Sequence, residues 1–155
     1  LGNYSLSLQI FTILVMLSSI SFKYLLPQDS SGVSNKKLKK IIIFISIAIS
    51  LLGFFVLPKI IPIFFPKFID TVDAIGIMSI AVVPEAITML YVSKLLSKEN
   101  SKYVLIAKII ALSTIIIGFI YAGPIFGIVG LAIIMVLSSI FQASFLAAIE
   151  KTIKR

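Results

Sequence analysis

The chain has 155 residues, 59% apolar and only 13% charged, with a mean hydropathy of +1.16. Soluble domains run about 45–50% apolar and about 25% charged, so a water-soluble globule is excluded and much of the surface must meet lipid. The absence of Cys and His removes disulfides, the usual zinc and haem sites, and thiolate or imidazole catalysis.

Five apolar stretches in chain order approach the roughly 20 residues needed to cross about 30 Å of hydrocarbon. They run over residues 4–22, 38–57, 71–95, 103–121 and 126–148. Uninterrupted apolar runs lack the inside/outside alternation of a membrane barrel, and helices satisfy their own backbone groups in lipid. The expected fold is therefore all-α, a polytopic membrane bundle of five transmembrane helices.

The first connection carries Lys23, Lys36, Lys37, Lys39 and Lys40, with Ser34 or Asn35 placed to cap the second helix. The third connection region carries Lys94, Lys98, Lys102 and Lys108, and the tail Lys151, Lys154 and Arg155. The second connection holds only Lys59 and Lys67, opposed by Asp70 and Asp73, and the turn Ala122–Ile125 holds no charge. Basic residues thus divide twelve to two between alternating connections. In a membrane protein this is the cytoplasmic-loop bias, not a nucleic-acid surface. It places the N-terminus outside and the C-terminus in the cytoplasm. The chain starts at Leu1 with its first helix almost at once and no cleavable-signal pattern, which reads as a fragment of a longer protein.

Polar groups inside lipid cost about 2.5–3.5 kcal/mol for a central charge on insertion scales, and they normally face protein or a water-filled cavity. In the first helix Ser5, Gln9, Thr12, Met16, Ser19 and Lys23 recur at spacings of 4 and 3, which aligns them on one face. This stripe either lines a hydrophilic path or packs the helix against a neighbour. Glu85 lies about 10 residues, roughly 15 Å, from the basic end of the third helix. Nothing in its own helix neutralises it, and Pro84 beside it predicts a kink. It is a candidate for ion coupling or for fixing helix packing. Lys108, about 7.5 Å into the fourth helix, either reaches toward Glu85 or snorkels to the headgroups. Gln142, with Ser138 one turn before it, forms a smaller patch whose plainest reading is core packing. The cluster Lys36–Lys40 either stops translocation or grips anionic headgroups. Tyr91, Tyr103 and Tyr121 fit interface anchors. No nucleotide loop, metal cluster or nucleophile–base pair is legible, so the chain is expected to be neither an enzyme nor a holder of metal or cofactor.

The turns carry a family likeness. Leu1-Gly2-Asn3-Tyr4-Ser5-Leu6, Leu25-Leu26-Pro27 and Pro124-Ile125-Phe126-Gly127-Ile128-Val129-Gly130-Leu131-Ala132 resemble the C-terminal lobe of polysaccharide (O-antigen type) flippases, within the multidrug/oligosaccharidyl-lipid/polysaccharide exporter superfamily. In the last of these, Pro124 and Gly127 suit a tight outer turn and Gly130 a close helix approach. The resemblance implies that residues 1–155 form part of one lobe of a two-lobed exporter, with an N-terminal lobe of the same protein as partner. It also implies alternating-access export of a lipid-linked oligosaccharide across the cytoplasmic (inner) membrane. Lys23 and Lys108 would then touch diphosphate and Gln9 sugar, with Gln142 a further cavity candidate, and Glu85 would serve coupling or lobe rigidity. Two other classes fit the same residues: a cation-coupled drug or metabolite antiporter of that superfamily, and a non-transporting membrane scaffold.

Overall fold

The structure, a computed structural model, describes residues 2–31 and 36–153 and, within them, every side chain except those of residues 2–4, 17, 18, 21 and 22. The cap expected at Ser34 or Asn35 and the tail cations Lys154 and Arg155 lie outside these residues. All the regular elements described are helical. They are α1 (Gly2–Ser30), α2 (Lys36–Phe55), α3 (Leu57–Phe64), a 3-10 turn at Pro66–Thr71, α4 (Val72–Ile80), α5 (Val82–Leu96) and α6 (Ser101–Ile153).

Among the described residues three stretches are long and apolar enough to cross a membrane: Lys36–Phe55, Pro66–Leu96 and Ser101–Ile153. Within α1 the apolar stretch Ser5–Met16 is shorter, and the helix runs on through Pro27 to Ser30, two turns past the expected end at residue 22. The expected fourth and fifth helices form one element, α6, broken at Gly127. A straight helix of 53 residues would measure about 80 Å at 1.5 Å per residue, far more than a bilayer core. Gly127 instead takes φ +57° and ψ −139°, a backbone conformation open to glycine and strained for other residues. The two arms, residues 101–126 and 128–153, fold back on each other there. Ser138 Oγ donates to the Ala111 carbonyl at 2.9 Å, 27 residues away in sequence. An alanine-sized Cβ on Gly130 would stand 2.8 Å from the Ala122 carbonyl and 2.7 Å from Phe126 Cβ, so the bend closes only because Gly130 lacks one.

The expected kink beside Pro84 is present as a break between α4 and α5 at Ala81. There the Ala81 N–H reaches the Met78 carbonyl at 2.9 Å, a tighter i−3 bond, and Pro84 has no N–H to continue the ladder below it. The connection after α2, between the second and third expected spans, contains α3. Pro58 sits in its first turn, where a missing N–H breaks no helical bond.

Packing follows the rule for helices in lipid, where small residues let backbones approach. The central cluster joins Phe11 of α1, Ala74 and Met78 of α4, Ala81 and Val82 at the break, and Ala132 of α6. A second joins Val92 and Leu95 of α5 to Ala107 and Leu146 on the two arms of α6. A third sets Leu25, Ile42 and Ala86 between α1, α2 and α5. Large side chains such as Phe44, Ile63, Leu105 and Ile125 point outward, as a lipid-facing surface requires and a water-facing one forbids.

Candidate functional site

Position along α1 is set by helical periodicity. Phe11 and Ser7 turn into the bundle, while Ser5, Gln9, Thr12, Met16 and Lys23 lie on the exposed side and Ser19 at its margin. The expected polar face therefore exists. Within this chain it does not pack α1 against a neighbour, because its members look outward. Thr12 and Ser19 donate to carbonyls of their own helix, Leu8 at 2.7 Å and Val15 at 3.4 Å, the local solution for a hydroxyl in an apolar setting.

Glu85 stands at the edge of this face. A mostly apolar groove of about 350 Å³ is lined on α1 by Phe11, Ile13, Val15 and Met16 with the hydroxyls of Thr12 and Ser19, and closed on α5 by Glu85. The helix break supplies the placement, since ending α4 at Ala81 puts Glu85 in the first turn of α5, where the positive end of the helix dipole favours a carboxylate. From α6, Ser139 Oγ lies 3.3 Å from Glu85 Oε1 and 3.1 Å from the Met135 carbonyl, so its single proton is shared between the two acceptors. A half-buried carboxylate, flanked by hydroxyls and opening on a groove, can accept further hydrogen bonds from a sugar, a water or a cation's hydration shell.

The other sequence candidates do not converge on this groove. Lys108 is exposed on the first arm of α6 and makes no ion pair with Glu85. Gln9 and Lys23 share the outward face of α1 without lining the groove. Gln142 is buried at 2% exposure, and its Nε2 has no partner among the described residues, nor does Thr88 Oγ1 on α5. These two share the α5–α6 seam with Glu85 and Ser139, since both helices there run the same way. Tyr121 is exposed, and Tyr91 and Tyr103 are half-buried.

Two carboxylates that the sequence did not single out organise the opposite end of the bundle. Asp29, with its side chain 5% exposed, accepts from Lys39 Nζ of α2 at 2.7 Å and from Ser93 Oγ of α5 at 2.9 Å. Glu150 of α6 pairs with Lys94 of α5. Their signal was an acid paired at long range with a lone cation or hydroxyl, before it or after it in the chain, which spacing alone does not reveal. Among the described residues no group of three or more acids could hold a metal ion.

No protein-family model, curated protein or solved structure matches this chain. The functional reading therefore rests on the residues and their geometry.

Proposed function

We propose that the chain is part of a membrane translocator that moves a lipid-linked oligosaccharide by alternating access, with the outward polar face of α1 turned toward a second lobe. The observation that carries this reading is the Glu85 groove. A hydroxyl-bearing helix face and a carboxylate border one cleft at the surface of this bundle, where a helical partner can close it into a polar path. The broken helix at Ala81 supports it too, since interrupted helices are a recurring way to place polar groups at membrane depth. In this reading α1, α2, the α4–α5 pair and the two arms of α6 make five crossings. The charge bias of the connections puts the basic end in the cytoplasm and the start of α1 outside.

A second reading is favoured by Glu85 itself, whose carboxylate among hydroxyls suits a cation-coupled antiporter of small molecules. Both are tested in a bacterial strain lacking its own polysaccharide flippase, with this chain and an N-terminal lobe supplied as two polypeptides. Restored surface glycan, lost on Glu85→Gln with unchanged protein level, supports the first reading. Cation-driven efflux of a fluorescent dye with no glycan restored supports the second. Neither activity, with the chain inserted and abundant, returns it to the scaffold class.

A further inference from the structure

At the basic end, α2, α5 and α6 enclose a cavity of about 390 Å³ whose polar lining is Lys36, Lys39, Lys94 and Glu150. Its deeper walls are Ile43 of α2 and Ile87 and Leu90 of α5, with Tyr91 between the two levels. The two walls are written in opposite chain directions. On α2 the order from the end inward is Lys36, Lys39, Ile43; on α5 it is Lys94, Tyr91, Leu90, Ile87. Both therefore pass from ammonium to hydrocarbon over about 10 Å, at 1.5 Å per residue. That gradient is the polarity profile of a phospholipid from headgroup to first chain carbons.

The charges agree with an anion. Three ammoniums and one carboxylate line it; Lys39 is held from behind by Asp29 and Lys94 is paired with Glu150 within the lining, which leaves one positive charge in excess. An ammonium carries three donors, so one bond to a carboxylate orients it and leaves others for a phosphate. Lys36 has no ion pair among the described residues. It also begins α2, where the helix dipole favours an anion.

We infer that this cavity holds the phosphate-bearing headgroup of an anionic phospholipid, with the start of its acyl chains along Ile43, Leu90 and Ile87. The site needs only that the chain sits in a bilayer and is independent of what is transported.

The chain has no Trp, so Tyr91→Trp places a single fluorescent reporter in the cavity, and Ile43→Trp a second on the opposite wall. In phosphatidylcholine bilayers, brominated phosphatidylglycerol is expected to quench each reporter at roughly tenfold lower mole fraction than brominated phosphatidylcholine. Lys36→Gln should weaken that preference about fivefold. Lys37→Gln removes the same charge one residue away, outside the lining, and should leave it within about twofold. Equal quenching by the two lipids overturns the site. So do equal effects of the two Lys substitutions, which would mean diffuse attraction to the bilayer surface. Relief of the phosphatidylglycerol quenching by millimolar inorganic phosphate would make free phosphate the occupant and overturn the lipid assignment.

Discussion

Asp29 and Ser93, 64 residues apart in sequence, are joined by a 2.9 Å hydrogen bond that ties the end of α1 to the end of α5. Lys39 of α2 holds the other carboxylate oxygen, so one buried acid fastens three helices. Asp29→Ala removes both bonds and should destabilise the bundle by about 2–3 kcal/mol, as expected for losing hydrogen bonds to a charged group. Ser93→Ala should cost about 1 kcal/mol. Thermal unfolding in detergent checks the order. A larger loss for Ser93→Ala than for Asp29→Ala would contradict this arrangement.

Lys94 and Glu150 form the matching tie between α5 and the second arm of α6. A double-mutant cycle with Lys94→Met and Glu150→Gln should give a coupling of roughly 1–3 kcal/mol, as for residues in contact. The cycle between Glu85→Gln and Lys108→Met should be additive within about 0.5 kcal/mol, since these side chains form no ion pair. Coupling in the second cycle and none in the first would reverse the structural assignment.

Gly127 and Gly130 separate two causes of cost within one bend. Nothing lies within 4 Å of a Cβ at Gly127, so Gly127→Ala is a pure backbone effect of about 1–3 kcal/mol. Gly130→Ala acts by contact with Phe126 and the Ala122 carbonyl. The companion change Phe126→Ala keeps a Cβ at that position and should rescue neither variant. Recovery of Gly130→Ala in that background would show that the ring, not the close backbone approach, sets the penalty.

Ser139 donates to Glu85, and the carbonyl of an amide accepts that bond as well. Glu85→Gln should therefore change stability by less than about 1 kcal/mol and, on the proposed function, lower transport. Paired measurements of protein abundance and flux distinguish this from a packing role, in which the two would fall together.

Cysteines placed singly at Ser31 and Asn100 should be shielded from an impermeant thiol reagent added outside intact cells, and one at Lys59 should react. Ready labelling at Ser31 would invert the proposed orientation.

The α-helical class, the single polar face of α1 and the break near Pro84 were all legible in the sequence because each follows from local rules: run length, a 3.6-residue period and a missing N–H. The helical α3 was not, because its eight residues are too few to register as a crossing and carry two prolines, of which Pro58 sits in the first turn, where a helix tolerates it. The end of α1 was not legible either, since the apolar run stops before Lys23 whereas the helix continues through Pro27 to Ser30. The largest omission was Asp29 and Glu150. Their partners at Ser93 and Lys94 lie 64 and 56 residues away, and only the parallel course of α1, α5 and the second arm of α6 brings them together. The same topology separates Lys108 from Glu85, which chain proximity had made plausible partners.

The bend at Gly127 also bears on how the fold closes. Its two arms touch through residues only 27 positions apart, at Ala111 and Ser138, whereas the α1–α5 tie spans 64. Contacts close in sequence form with a smaller loss of chain entropy. The hairpin at Gly127 is thus a local unit of the fold, closed by the bend itself and by the Ser138–Ala111 bond. Assembly of α1 onto α5 closes a longer loop, so of the two contacts the hairpin is the cheaper to form and to re-form after local opening.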